Sequence, residues 1–421
     1  MQRKHAMPWL LLVLIALPPN SATGAGKPKA AAAVRPPEEA LMKLARSSNA
    51  FGFDLYQRLR KKPGNLVISP ASLTMVLTMA WGGARGETAE QMRKVLHLEG
   101  TPDEVRATSG QLARSLQDPA RPVVFRIANR LFAQASYKLV PAFQEKTAAA
   151  FGAPVEPLDF RKAAEPSRIH INQWIEEKTA HRIKDLVPRG GVGPDTRLVI
   201  VNAIYFLGDW ENPFYSEETR PAPFHLSASE QKSVPTMNDM GTHFVAHRDG
   251  VTAVELAYKG NAMSMLFLVP DEIEGLAAVE AGLDAGKLEA FVGALKPQYV
   301  SLSLPKFEVN PGTSLSLAED LKALGMSLAF DPERADLTGI AVPPTPAQRL
   351  YAGEVFHKGF VRVDEKGTEA AAASAMGIPA GAGPGGGPSR IVVDRPFLFL
   401  IRDNASGLVL FLGRMTDPSR R

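Results

Sequence analysis

Residues 365–376 read Glu-Lys-Gly-Thr-Glu-Ala-Ala-Ala-Ala-Ser-Ala-Met, and a run rich in Gly and Pro follows as far as Pro388. Alone, the alanines would favour a helix and the Gly/Pro run a linker. The flanking sequence argues otherwise, because strand-like patterns precede the stretch at 349–364 and follow it from Ile391. The stretch is then a loop of about 25 residues inside a domain, and loops that long are usually functional or disordered.

Outward from this loop, helical patterns dominate the chain before residue 120 and strand patterns dominate after it. Leu198–Phe206 is nearly all apolar and β-branched, which predicts a strand buried on both faces. Such an order is typical of an α+β protein rather than of alternating βαβ units. We predict helices at 38–60, 70–81, 87–96, 103–116, 141–150, 167–181, 275–293 and 315–324, and strands at 66–68, 123–134, 198–206, 299–308, 349–364, 397–402 and 408–415.

Composition excludes several classes of function. The chain has 421 residues with 45% hydrophobic content, which is enough for a large core. Its net charge of +4 is spread over the chain. Nucleic-acid binding would need a clustered basic face, so we expect none. The absence of cysteine excludes disulfides, thiol nucleophiles and thiolate metal sites.

The N-terminus has the order of a secretory signal peptide. A basic region at 3–5 precedes the apolar run Trp9–Leu17, and small residues around Thr23 and Ala25 follow. The apolar run is too short to span a bilayer, although a membrane anchor or a buried strand is the alternative. We expect a signal peptide at 1–25, a flexible tether at 26–37, and a secreted or periplasmic protein without a membrane anchor.

Catalytic motifs are missing. The sequence contains no G-x-S-x-G, H-E-x-x-H or P-loop, and its 8 histidines have no metal-ligand spacing. Gly381, Gly383 and Gly386 match G-x-G-x-x-G, but they follow no strand and precede no helix. Asn404-Ala405-Ser406 fits a glycosylation triplet, which a turn explains equally well. We expect neither an enzyme nor a cofactor.

Seven segments, in order and in spacing, resemble the serpin family of protease inhibitors. The resemblance covers nearly all of residues 38–418, which we expect to form a single domain. The segments are Asn65–Ser72 (N-x-x-x-S-P-x-S), Val201–Trp210 (V-N-A-x-Y-F-K-G-x-W, with Leu207 in place of the Lys), Leu304–Phe307 (L-P-K-F), His357–Phe360 (H-K-x-x), Glu365–Ala372 (E-x-G-T-E-A-A-A), Arg395–Phe399 and Phe411–Arg414.

The resemblance implies a serpin fold, with about nine helices, three β-sheets and an exposed reactive-centre loop at 365–390. In this family a serine protease cleaves the loop and becomes acylated, and the freed loop then inserts into the central sheet as a new strand. Counting from Glu365 as in the family places the reactive bond between Gly381 and Ala382, within a range of 378–383. The protein is expected to act as a monomer.

The resemblance also implies a hinge that can enter the sheet. Alternate residues of a strand face inward, here from Thr368 onward, and none of those positions is charged. Gly367 would give backbone freedom at the bend, and Glu369 would face outward. Non-inhibitory serpins usually carry bulky, charged or Pro residues at the inward positions, so inhibition is favoured over a binding role. The hinge residues are Glu365, Gly367, Thr368, Glu369, Ala370, Ala371, Ala372, Ala373 and Ser374.

Ser69, Ser72, Asn202 and His357 match the cluster that, in the family, holds the sheet where the loop enters. Trp210 matches a tryptophan at the top of the sheet. Each has an ordinary alternative: helix caps for the serines, a hydrogen-bonded core residue for His357, a core aromatic for Trp210.

The loop offers no Lys or Arg between Lys366 and Arg390, while a trypsin-like pocket requires one. An elastase-like or subtilisin-like serine protease is therefore the expected partner.

Overall fold

A computed structural model describes residues 38–345, 347–368 and 389–420 of the chain. Within these residues it contains nine α-helices, as the resemblance implies. Helix α2 begins where predicted, because the Ser69 side chain accepts a hydrogen bond from the Ser72 N–H (3.2 Å) and Pro70 takes the first helical position. The helices are α1 (Glu38–Leu59), α2 (Pro70–Trp81), α3 (Gly86–Val95), α4 (Pro102–Leu116), α5 (Pro141–Phe151), α6 (Phe160–Lys178), α7 (Leu276–Gly282), α8 (Ala285–Ala294) and α9 (Ala318–Ala323).

The larger sheet has nine strands in the order β1-β18-β17-β9-β8-β7-β10-β16, with β6 paired to β7. Its neighbours are antiparallel except for β10 and β16, which run parallel. These strands are β1 (Leu66–Ile68), β6 (Arg220–His225), β7 (Gln231–Arg248), β8 (Val251–Ala257), β9 (Met263–Pro270), β10 (Lys296–Pro305), β16 (Ser389–Val392), β17 (Phe397–Asp403) and β18 (Val409–Met415).

The second sheet has seven strands in the order β11-β14-β15-β5-β2-β4, with β12 paired to β14 and a further direct pairing of β14 with β5. Its strands are β2 (Val123–Gln134), β4 (Glu156–Leu158), β5 (Leu198–Asp209), β11 (Phe307–Val309), β12 (Leu315–Ser316), β14 (Ala352–Val363) and β15 (Gly367–Thr368). A two-stranded sheet joins β3 (Lys138–Leu139) to β13 (Ala341–Val342). The predicted α+β class with three sheets is confirmed.

Three predicted helices differ from the structure by more than a single residue at an end. Helix α6 begins seven residues earlier than expected, at Phe160, because Asp159 caps it and a kink at Ala163 accommodates Pro166. The predicted helix 275–293 is two helices, and Asp284 caps the second by accepting from the Lys287 N–H at 2.7 Å. The predicted helix at 315–324 is shortened, since β12 pairs with β14.

Helix α2 is buried along its entire length. It packs against β18 of the larger sheet and against β5 and β2 of the smaller one. A helix that is buried all round needs apolar residues on every side, which explains its high mean hydropathy. Its N-terminus therefore lies directly against the middle of the smaller sheet. Among the described residues, none of the helices combines the length and the apolar character that crossing a bilayer requires.

Candidate functional site: the seam between two parallel strands

The functional site begins with how strands β5 and β14 meet. They pair in parallel at eight positions, from Leu198 opposite Ala352 to Tyr205 opposite Phe360. Towards the C-terminal ends of both strands, beyond Phe360, this direct pairing stops, and β15 lies between the two strands instead. We call this end the top of the sheet. We call the direct join of β5 and β14 the seam. A new strand could enter the sheet only by separating it.

A row of polar side chains crosses the seam at mid-height. Asn202 of β5 lies opposite His357 on one side and opposite Asn129 of β2 on the other. The ring nitrogen Nδ1 of His357 is 2.5 Å from Oδ1 of Asn202. The Asn202 Nδ2 group donates to Oδ1 of Asn129 (2.5 Å). Three neighbouring strands are thus linked by side chains as well as by backbone.

The N-terminus of α2 completes this network. Asn202 Nδ2 also donates to Oγ of Ser72 at 2.6 Å. The backbone N–H of Ser69 donates to Nε2 of His357 at 3.1 Å. Every side chain of the network is buried. Buried polar groups of this kind are stable only when their partners are in place, so the network fixes the register of the strands around it.

The network also fixes the protonation state of His357. Because Nε2 accepts from Ser69, the ring is neutral and Nδ1 donates to Asn202. Burial lowers the pKa of His357 to about 3, against the opposing effect of its contact with Asn202. The site therefore holds a neutral hydrogen-bonding ring across the seam at physiological pH.

The structure brings together four of the five residues predicted for the sheet-opening cluster, Ser69, Ser72, Asn202 and His357. Trp210 lies apart from them, next to the upper end of β5. The family resemblance likewise placed it at the top of the sheet. Asn129 was not predicted from the sequence as a member of this cluster. Its signal was a single polar residue in the row Phe125, Ile127, Asn129 and Leu131, which otherwise consists of apolar side chains on one face of the strand.

At the top of the seam, Trp210 holds the start of the predicted loop. Its Nε1–H donates to the backbone oxygen of Asp364 (3.0 Å), and its backbone N–H donates to that of Lys366 (2.7 Å). The indole stacks on Tyr258 with ring centroids 4.6 Å apart. Trp210 is therefore both a core aromatic and the anchor of the hinge.

Beyond this anchor the hinge has already entered the sheet. Thr368 pairs with Val363 of β14 on one side and with Gly208 of β5 on the other. Its side chain is fully buried, and its hydroxyl lies 2.6 Å from that of Tyr258. The prediction that Thr368 faces inward is confirmed. Tyr258 is a second partner that the sequence did not reveal.

Gly367 has a φ of +159°, which residues with a side chain rarely adopt, so the predicted backbone freedom is needed here, and a close contact is a second reason for glycine. A Cβ atom at this position would lie 2.0 Å from the carbonyl oxygen of Gly208 and 2.7 Å from Cα of Asp209. Only glycine lets the hinge backbone approach β5 this closely. The close approach fixes where the inserted segment begins.

Glu365 attaches the hinge to the neighbouring sheet. Its carboxylate accepts from Nζ of Lys306 at 2.7 and 3.0 Å and from Oγ1 of Thr219 at 2.7 Å. Burial would raise the pKa of Glu365, but these hydrogen bonds outweigh it and hold the pKa below its ordinary value. The remaining predicted hinge residues, Glu369 to Ser374, and the predicted reactive bond between Gly381 and Ala382 lie outside the described residues.

Known proteins resemble this chain in both sequence and structure. The human leukocyte elastase inhibitor is 35% identical over 394 residues, which span 89% of this chain and 99% of the relative. Iris from the tick Ixodes ricinus is 36% identical over 374 residues, 87% and 97% of the two chains. The crystal structure of Serpin48 from the insect Tenebrio molitor superposes with a TM-score of 0.79 at 31% identity, covering 89% of this chain and 98% of the other.

The sequence model of one family, described as serpin (serine protease inhibitor), matches residues 46–418. That match includes the seam, the polar network and both flanks of the predicted loop. It agrees with the seven segments, with the three sheets and with the hinge that lies between β5 and β14. The chain belongs to the serpin family.

Proposed function

We propose that this protein inhibits serine endopeptidases by offering its loop as a substrate and inserting the cleaved loop into the seven-stranded sheet. The observation that carries the proposal is the position of β15. Thr368 is already paired on both sides, to β14 and to β5. Residues that follow Thr368 can therefore extend an existing strand, without having to nucleate a new one.

The register of β15 determines where each later residue would go. Thr368 lies opposite Gly208, so each further residue of the loop falls opposite the preceding residue of β5. Leu198 at the start of β5 is ten residues before Gly208, and it would face Ile378, ten residues after Thr368. Pro379, which cannot donate to a ladder, would fall just beyond the sheet.

Continued in the same register, the inserted strand would bring Ser374 to the polar network. Ser374 is six residues after Thr368, and it would lie between Asn202 and His357, which are six residues below Gly208 and Val363. Its side chain would face inward, as that of Thr368 does. A serine hydroxyl there can accept from the histidine ring and donate to Asn202, which replaces the direct contact that insertion breaks.

The energetics favour insertion. A strand from Thr368 to Ile378 would gain backbone hydrogen bonds on both sides and give up the parallel pairing of the seam. With about 1 kcal/mol net for each bond gained, the balance is on the order of 10 kcal/mol before packing and entropy. This is comparable with the whole stability of a typical domain, about 5–15 kcal/mol.

For the target we propose an elastase-like or subtilisin-like protease, cleaving within 378–383. The residues offered there are small or apolar, and Gly381 and Ala382 form the bond expected from the family count. Arg390, the alternative for a trypsin-like enzyme, lies in β16 and pairs with Ser301. One relative is named for its inhibition of an elastase, which agrees with this choice.

We also propose that the protein is exported and acts as a monomer. The basic, apolar and small-residue order of residues 1–25 supports export, with a mature chain that begins near Gly26. Intact mass and N-terminal sequencing of the native protein would test this. A chain that retains Met1 would contradict it.

The proposal predicts a covalent complex. We expect incubation with an elastase or a subtilisin to give an adduct that survives denaturing electrophoresis, and trypsin to give little. Peptide mapping of the adduct locates the new C-terminus. Protein that escapes trapping should be cleaved and more heat-stable by about 10 °C or more, since 10 kcal/mol divided by an unfolding entropy of about 2.1 cal/mol/K per residue gives roughly that shift. Cleavage without adduct and without stabilisation would indicate a non-inhibitory serpin.

A further inference from the structure

The larger sheet carries a strip of exposed apolar side chains. Met240 is 59% exposed, Phe244 50% and Tyr299 38%. Met240 and Phe244 are four residues apart on β7 and share a face, since side chains alternate along a strand. Tyr299 of β10 lies opposite Thr242, which stands between them in β7, so it joins the same face. We call Met240, Phe244 and Tyr299 the exposed strip.

The strip is not a misplaced part of the core. The opposite face of the same strands is buried through His243, Val245 and Val300. Single exposed hydrophobic residues are ordinary, but a contiguous group marks an interaction surface. Eight large hydrophobic side chains are exposed in the described part of the chain, and three of them lie in this strip. Its location therefore requires an explanation.

The strip adjoins the end of the reactive-centre loop. Strand β10 pairs in parallel with β16, in which Ser389 is the first residue described after the loop. Ser301 lies opposite Met240 on one side and opposite Arg390 on the other. Strand β10, which carries Tyr299 of the strip, is thus the direct neighbour of β16, the strand that continues the loop.

Chain length limits how far a bound protease can be. Seven residues, Ala382 to Pro388, separate the predicted reactive bond from Ser389, and they span at most about 25 Å. A folded protease of about 230 residues has a radius of gyration of about 17 Å. An enzyme of that size, held so close to β16, has this end of the larger sheet within reach of the rim of its active-site cleft.

We propose that the exposed strip is a second contact for the target protease, one that binds apolar side chains on the rim of its cleft. The inference rests on the proposed inhibitory function. On the β10 side, the cross-strand partners of the strip are Thr242, Pro297 and Ser301, all uncharged. On the β8 side, Glu255 lies opposite Phe244, and its charge is neutralised by Arg402. The surface of the strip therefore suits an apolar partner. Met is flexible and aromatic rings supply much contact area, as in known binding surfaces.

A second contact would also offset a weakness of this loop. Gly381, Gly383 and the glycines at 385–387 make its end costly to order, and glycine gives a protease pocket little to bind. Contacts made from a rigid sheet avoid the backbone part of that ordering cost. The strip would then supply affinity that the loop lacks, before the covalent step.

The test replaces the strip and measures the second-order rate of complex formation. The strip variant combines Met240→Gln, Phe244→Gln and Tyr299→Gln. The matched control combines Met42→Gln and Ile169→Gln, which are 42% and 43% exposed and lie on α1 and α6. The protease is the elastase or subtilisin that forms the adduct fastest. We expect the strip variant to associate about tenfold more slowly, with unchanged stoichiometry, and the control to match the parent protein.

Three outcomes would overturn the inference. Equal rates for the strip variant and the parent would exclude a role in docking. A parent dimer that the strip variant converts to monomer in sedimentation would identify a self-contact instead. If the parent forms no adduct with any serine protease, the proposed function itself fails, and this result is visible before any variant is made.

Discussion

The two large sheets of this serpin are closed in different ways. In the nine-stranded sheet, β9, β17 and β18 are buried at every position and joined by antiparallel ladders. In the seven-stranded sheet, the central join between β5 and β14 is parallel, and Asn202 and His357 bridge it with a hydrogen bond. Parallel pairing is slightly less stable per residue than antiparallel pairing.

The difference explains which sheet can open. Where apolar side chains alone join two strands, an incoming residue finds no side-chain hydrogen bond to replace. Separating a hydrogen-bonded pair leaves a donor and an acceptor, and an incoming serine can satisfy both. The polar network therefore stabilises the closed seam, and its hydrogen bond across the seam can be replaced by hydrogen bonds to the incoming strand. The mechanism proposed for this protein depends on that property.

The largest effect is expected from a charge at the top of the seam. Thr368→Arg would require a guanidinium in a fully buried position beside Tyr258, which costs several kcal/mol. We expect the protease to cleave this variant as fast as the parent but to escape, so that adduct on denaturing gels is lost. Thr368→Ser keeps the hydroxyl and should inhibit normally. Inhibition by the Arg variant at parental stoichiometry would show that the seam does not need to admit Thr368.

A smaller effect is expected at the centre of the seam, where pH should act through His357. Its pKa of about 3 in the folded state lies below the ordinary 6.5, so the unfolded state binds more protons between these values. Stability should therefore rise with pH from about 3 to about 6.5 and be lost as the pH falls.

His357→Gln should remove this component of the pH dependence and cost about 1–3 kcal/mol at pH 7, because Ser69 and Asn202 lose a partner. Denaturant unfolding at a series of pH values measures both effects. His247→Gln, at an exposed position paired with Asp271, is the control and should change little. An unaltered pH profile in His357→Gln would mean that the neutral ring does not hold the closed seam.

The smallest effect tests the register of insertion. Ser374→Ala and His357→Gln should be independent before cleavage and coupled by about 1 kcal/mol after it, because only insertion brings the two side chains together. A double-mutant cycle on the thermal stability of cleaved and uncleaved protein measures the coupling. Ala373→Ser, on the outward phase, should show no coupling to His357. Coupling of His357 to residue 373 instead of residue 374 would show that the inserted strand pairs one residue out of the proposed register.

Much of this protein could be predicted from its sequence. Local patterns predicted β2 and the start of α2 because apolar spacing and a Ser-Pro cap act within a few residues. Motif order identified the family, and alternation along the hinge correctly placed Thr368 inward. The limits of α6 and α9 were wrong, since a capping residue before a kink and a competing strand overrode local propensity.

Only the tertiary structure decided the partners at the seam. Asn129 and Asn202 are 73 residues apart in the chain, and Tyr258 and Thr368 are 110 apart. No local pattern specifies such pairs, because they follow from the register of strands that meet only after folding. The sequence alone determined that a hinge of small residues can enter a sheet. How far it has entered, and which side chains hold the strands it must separate, depended on the packing of the two sheets around α2.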